Sequence, residues 1–220
     1  MNLLTRLVDG LARRGRPERA VDDARWVVLD VESSGLDARA DRLLAIAAIA
    51  VRRKGTRLHI VPGDSFEVVL RHDAAMADKP NILVHGIGVA AQRAGVEPRS
   101  ALLAFERYIG RSPLIAFHAA FDQTLILRAF DAALGRHPPN PWLDLEPLAA
   151  VLHPQLKLRS LDEWMAQLQI HCAQRHQAAA DTLATAELLQ KLWPAALREL
   201  GPDAGFAAVR QLAARRRWLP

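Results

Sequence analysis

The amino-acid sequence predicts a single α/β domain in which a mixed sheet is covered by helices. Three observations carry that prediction. Apolar runs of strand length come early, at Trp26–Leu29 and Leu43–Val51, with a turn between them. Helical periodicity dominates after residue 100, and two further strand-like stretches are interleaved with those helices. Half of the 220 residues are hydrophobic and 24% are charged, enough apolar surface for one well-buried core.

The elements follow in order. Residues 2–14 set Leu3, Leu4, Leu7, Val8 and Leu11 on one helical face, a short amphipathic helix that would dock on the body or on a partner. A polar linker follows, so residues 1–22 read as an N-terminal extension. Trp26–Leu29 opens the first strand, Ser33-Ser34-Gly35-Leu36-Asp37 turns the chain, and Leu43–Val51 forms the second strand. A third strand is expected at Ser65–Arg71. Ser100–Ile109 has helical period, Leu114–Phe117 is a strand, and residues 121–134 are helical with Phe121, Leu125, Ile126, Ala129 and Phe130 inward. Trp142–Leu145 is expected as a short strand. Ser160-Leu161-Asp162-Glu163 fits a capping box, in which Ser160 accepts from the third amide and Glu163 reaches back. Residues 178–193 form a long helix that Pro194 should end or kink. The folded domain is expected to span 23–200, with 201–220 a basic C-terminal helix or tail.

Composition excludes several classes. The longest apolar run, Leu43–Val51, is nine residues, against roughly 20 for a membrane-spanning helix. One cysteine, Cys172, excludes an internal disulfide framework and fits a reducing compartment. The N-terminus lacks the apolar block of a secretory leader, so a cytoplasmic protein with no membrane partner is expected. His153 and His171 lack the spacing to other donors that zinc requires. Net charge is +5, with +3 in residues 1–20, +4 in 204–220 and −2 between. Basic ends on a near-neutral body suit a polyanion. Arg215–Arg217 read equally as a phosphate-facing tail or a solvated end.

The informative residues are carboxylates where apolar side chains belong. Asp30 and Glu32 lie two apart in the first strand and therefore share a face. Like charges this close repel, so one protonates or a cation neutralises both; a divalent metal with oxygen ligands is the natural solution. Asp122 stands in the first turn of the 121–134 helix, where an acid favours the helix dipole. His176 and Asp181 would not share a helical face, but a His176 in the preceding loop could fold over a site that Asp181 supports from below. Singly, each has an ordinary reading: a hydrated strand end, a dipole partner, a surface histidine. Together they are four acids and a histidine, each at a strand end or helix start.

These residues resemble the DEDD exonucleases of the histidine subtype, whose members include the proofreading epsilon subunit of bacterial replicative DNA polymerase. Asp30-Val31-Glu32-Ser33-Ser34-Gly35-Leu36-Asp37 with Asp41-Arg42-Leu43-Leu44 is similar to the family's first motif. Ala116–Asp122 is similar to the second, His176–Asp181 to the third, and His85-Gly86-Ile87 to a shorter landmark. The resemblance spans roughly residues 26 to 195. It implies a ribonuclease-H-like fold, a five-stranded mixed sheet flanked by helices. It also implies that Asp30, Glu32, Asp122 and Asp181 hold two divalent cations, Mg²⁺ or Mn²⁺, and that His176 is the general base, a role that imidazole suits near neutral pH. Ser33, Ser34, Gly35 and Leu36 would meet the 3′-terminal nucleotide, with His85 and Phe117 as further substrate contacts. The family's His-Asn before the second motif is here Phe117-His118, and its Glu and Gly in the second strand are Ala45 and Ala47.

The expectation is a metal-dependent 3′–5′ exonuclease that releases nucleoside 5′-monophosphates from single-stranded or frayed DNA 3′ ends. A polymerase or other protein partner could meet the terminal helices. Two alternatives stand beside it: an exoribonuclease acting on short or structured RNA, and a non-catalytic nucleic-acid-binding or polymerase-associated module. An Asp-x-Asp phosphatase is excluded, because position 32 is Glu.

Overall fold

The protein is described by a computed structural model over residues 21–72 and 86–218. The expected helix at 2–14 and His85 lie outside the described residues. Strands β1 (Arg25–Ser33), β2 (Leu43–Lys54), β3 (Arg57–Val69), β4 (Leu114–Ala116) and β5 (Trp142–Asp144) form one five-stranded sheet in the order β3-β2-β1-β4-β5. β3, β2 and β1 are antiparallel neighbours, whereas β1, β4 and β5 run parallel, so the sheet is mixed as expected. Helices α1 (Val89–Ala94), α2 (Pro98–Ile109), α3 (Ala120–Leu134), α4 (Leu145–Leu152), α5 (Leu161–Leu168), α6 (Ala178–Leu200) and α7 (Phe206–Ala213) surround it, and a 3-10 turn (Ala214–Trp218) follows.

The alternation of β1 divides the interior into two cores. Val27, Leu29 and Val31 face α2 and α3, where Phe105, Ile126 and Phe130 are buried. Trp26 and Val28 face the opposite layer with Trp164, Leu188, Trp193, Phe206 and Val209. Trp26 meets Trp193 and Phe206 edge to face at centroid distances of 5.5 and 5.6 Å. Asp30 and Glu32 continue the Trp26–Val28 row, so the acids begin where that core row ends.

Several boundaries differ from expectation for identifiable reasons. β3 starts at Arg57, eight residues before the expected Ser65, and ends at Val69. Its pairing with β2 skips residues 62–64, which form a bulge at Pro62-Gly63-Asp64. Arg25 fastens that bulge with two hydrogen bonds to the Asp64 carboxylate, of 2.9 and 2.7 Å. The strand at Trp142 stops at Asp144, whose side chain accepts from the Glu146 amide and starts α4. The Ser160–Glu163 capping box opens α5. Pro194 does not end α6: the helix runs on to Leu200, because Ala195 and Ala196 remain buried on its inner face while Pro194 itself is exposed. α7 adds Phe206, Val209 and Leu212 to the same core as Trp26. No helix among the described residues is long and apolar enough to cross a membrane.

Candidate active site

Four segments deliver the acids. β1 carries Asp30 and Glu32; the first turn of α3 carries Asp122; the first turn of α6 carries Asp181. All four line one open cavity of about 350 Å³, together with His176, Phe117, His118, Ser160, Asp162 and Arg175. Asp122 and Asp181 are 4% and 6% exposed, unusually low for carboxylates.

The strand register explains how α6 comes close enough. Asp30 lies directly opposite Ala47 of β2, and Glu32 opposite Ala45. Methyl groups at these positions let α6 settle on the sheet, where the Thr182 hydroxyl donates to the Ala47 carbonyl at 3.2 Å. Ala45 offers Glu32 no polar partner. One Glu32 oxygen receives the Ala178 amide at the start of α6, while Glu32 Oε1 is buried without any hydrogen bond.

Crowding of acids away from water fixes the electrostatics. Burial, then the charges of Asp122, Glu32 and Asp181, push the Asp30 carboxyl well above the usual range. Burial and Asp181 push Glu32 up to about 8. Asp122 is raised as well, first by burial, with Asp144 and Glu32 contributing repulsion.

The loop before α6 carries the histidine. His176 has a left-handed backbone, φ 61°, which directs its amide onto Asp181 Oδ2 at 3.0 Å. The other Asp181 oxygen takes the Arg175 guanidinium, which also donates from Nε to Asp162 Oδ1 at 2.5 Å. The Cys172 thiol donates to the same Asp181 oxygen at 3.5 Å, and burial followed by the Asp181 charge pushes that thiol up. Burial opposes the Arg175 charge, but its bonds to Asp162 and Asp181 outweigh burial and raise its pKa. Arg175 is therefore a built-in counter-charge, paired directly with Asp181 and drawing Asp30 and Glu32 down as well.

Across the cavity, His118 also has a left-handed backbone, φ 57°. Its amide donates to Asp144 Oδ1 at 3.0 Å, its Nε2 lies 3.0 Å from the Arg159 carbonyl, and its ring meets Phe117 edge-on at 4.7 Å. Asp144 thus ties the end of β5 to the β4–α3 turn. Arg175, Asp144, Asp162 and His118 carry no sequence signal for these roles, because each partner is set by loop geometry or by a neighbouring strand end.

The turn after β1 has a different character. Ser34 donates to Asp41 Oδ1 at 2.8 Å and accepts from the Arg42 amide at 2.9 Å, and the Ser33 hydroxyl donates to the Gly35 carbonyl. Gly35 packs so closely on Asp41 that a Cβ would lie 2.5 Å from Oδ2. Leu36 projects into solvent, 94% exposed. These four residues lie outside the cavity lining, whereas Phe117 lies within it.

Among the described residues no three acid, histidine or cysteine side chains are already drawn into a closed cage for an ion. The donor set nevertheless fits divalent cations: hard oxygen ligands, an orphaned buried Glu32 oxygen, and three carboxyls whose ionisation is held back by burial and by the charges of neighbouring acids.

Residues 27–189 match the RNase_T family model, described as an exonuclease. The chain belongs to this exonuclease family. A DNA polymerase III PolC-type protein of Bacillus cereus is 31% identical over 174 residues, 79% of this chain and 12% of that protein. A DNA polymerase III subunit epsilon-like protein of Rhodobacter capsulatus is 30% identical over 181 residues, 81% of this chain and 25% of that protein. The chain therefore spans only a small part of the length of the curated relatives it matches. Exonuclease X, solved in complex with 5′ overhanging duplex DNA, superposes with a TM-score of 0.64 at 20% identity, covering 86% of this chain and 99% of that one. That likeness establishes the fold, the ribonuclease-H-like architecture of the exonuclease family.

Proposed function

We propose that this chain is a metal-dependent 3′–5′ exonuclease that hydrolyses the terminal phosphodiester of single-stranded or frayed DNA and releases nucleoside 5′-monophosphates. The observation that carries this reading is the cluster of four acids in one cavity, with Asp30 pushed upward by burial and the charges of Asp122, Glu32 and Asp181, and Glu32 by burial and Asp181. Such a cluster is costly unless cationic charge enters it. Asp30, Glu32, Asp122 and Asp181 would hold two divalent cations, which supply charge neutralisation at the phosphate and acidify water.

The chain's own groups do the rest. A ring nitrogen of His176 takes the proton of the attacking water, the residue being held by the hydrogen bond that its backbone N–H donates to Asp181 Oδ2. The Phe117 ring, held edge-on by His118, offers a face to the sugar or base beside the scissile bond. The exposed Leu36 side chain can wedge against the terminal base, with Ser33, Ser34 and Gly35 shaping the turn that presents it.

Family membership supports nuclease chemistry, and the names of both relatives support work beside a DNA polymerase. The test uses matched DNA oligomers labelled at either end, with Mg²⁺ or Mn²⁺. Stepwise loss from the 3′ end, abolished by chelation and in Asp30→Asn, is expected. Release from the 5′ end, or full activity in Asp30→Asn, overturns the proposal.

A further inference from the structure

Among the described residues the active-site cavity is lined by one Arg or Lys side chain, Arg175, and it is committed to Asp162 and Asp181. A strand whose 3′ end enters that cavity would find no free protein cation there for its next phosphates. Immediately beside the cavity lies a second cleft of about 320 Å³, between the loop that follows α4 and the C-terminal 3-10 turn. Lys157, Arg159 and Arg216 line it, and among the described residues no acid does.

These cations are uncommitted. Among the described residues, none of the three side chains forms an ion pair within 4.0 Å. Arg216 is nevertheless half-buried, an unusual position for a guanidinium without an acidic partner. Of the two nearest acids along the chain, Asp162 is held by Arg175 at 2.5 Å, and Glu163 accepts the amides of Arg159 and Ser160 at 2.7 and 2.9 Å. The rest of the lining is aliphatic, including Pro154, Leu156 and Leu158.

The two clefts share a wall. Arg159 lines the basic cleft, and the next three residues, Ser160, Leu161 and Asp162, line the acidic one. His118 of the acidic cleft grips this wall through the Arg159 carbonyl. A chain leaving the carboxylates past Phe117 and His118 therefore meets Arg159 first.

We propose that the Lys157–Arg159–Arg216 cleft binds the sugar-phosphate backbone of the DNA strand upstream of the scissile phosphate. This inference rests on the nuclease reading of the neighbouring cavity. Cations read phosphates without regard to sequence, the aliphatic floor suits deoxyribose, and among the described lining residues none is an aromatic on which a base would stack. Binding here is therefore strongly salt-dependent and indifferent to sequence.

The experiment compares the full chain with the double variant Lys157→Ala/Arg216→Gln, and with Lys157→Arg as the charge-retaining control. Steady-state hydrolysis is measured on dT2 and dT20, and anisotropy of fluorescein-dT20 is followed as salt rises. Thermal midpoints verify folding. Expected is a tenfold or greater rise in KM and Kd for dT20, unchanged kcat and KM for dT2, and a log–log salt slope shallower by about 1.4 for two lost contacts. Lys157→Arg should retain wild-type behaviour. Equal loss on dT2 and dT20, or unaltered dT20 affinity and salt slope, overturns the inference while leaving the nuclease reading intact. Selective loss of dT20 binding in a protein that hydrolyses no DNA upholds the cleft and overturns the nuclease reading instead. Displacement of poly-glutamate but not dT20 by the double substitution assigns the cleft to an acidic protein and overturns the DNA assignment.

Discussion

Glu32→Gln isolates the electrostatic strain of the acidic cavity. In the cation-free protein the Glu32 carboxyl is pushed from 4.5 to about 8, by burial and then by Asp181. Keeping it protonated at pH 7 costs about 1.4 kcal/mol for each pH unit above its ordinary value, or about 3 kcal/mol. Partial contact with water reduces this to about 2 kcal/mol. The sign follows from the raised value: the group's contribution to stability is complete below pH 4.5 and is lost as pH rises towards 8. The amide keeps an acceptor for the Ala178 N–H and turns a donor towards the neighbouring carboxylates, so it escapes the loss. Urea unfolding in EDTA at pH 4.5, 6, 7 and 8 should show equal stability at the lowest pH. At pH 7 the variant should be ahead by about 2 kcal/mol, a rise of about 4–8 °C in thermal midpoint. Adding Mn²⁺ should reverse the order, because only the wild type recovers its ligand charge. Identical pH profiles in EDTA, or a less stable Glu32→Gln at pH 7, would refute the reasoning.

Arg175→Met removes the resident counter-charge of Asp181; the cation-free protein should lose about 1–3 kcal/mol, while calorimetric titration should show tighter Mn²⁺ binding. Gly95→Ala puts a Cβ 2.7 Å from the Leu70 carbonyl carbon, and chemical denaturation should record a loss of about 1–3 kcal/mol. Thr182→Val deletes the hydroxyl that ties α6 to Ala47; the same measurement should give a loss of about 1 kcal/mol, with Mn²⁺ affinity falling as Asp181 loosens from β1.

The parts of the fold and the site that were legible in the sequence obey local rules. Asp30 and Glu32 stand out because strand periodicity is two and their row is otherwise apolar, and that row is the one Trp26 and Val28 bury. Ser160 and Glu163 announce α5 because both halves of the cap lie within four residues. What was hidden depends on contacts distant in sequence. The first half of β3 is disguised by Pro62-Gly63, which reads as a turn until Arg25 and Tyr108 are seen holding Asp64 in a bulge. Pro194 looks like a helix stop, but burial of the following alanines outweighs the lost amide. Arg175 looks like a loop cation, and only the folded chain sets it between Asp162 and Asp181. Asp144 looks like the end of a strand, and only the parallel neighbour β4 gives it the His118 amide.

The left-handed residues on either side of the acids bear on how any mutational scan of this protein should be designed. Alanine at 176 or 118 would remove an imidazole and at the same time force a methyl-bearing residue to hold a backbone shape that it resists. Two injuries would then be counted as one, and a dead variant would exaggerate what the ring contributes. Asparagine tolerates that shape far better, so the gap between asparagine and alanine at each position separates the architect from the chemist.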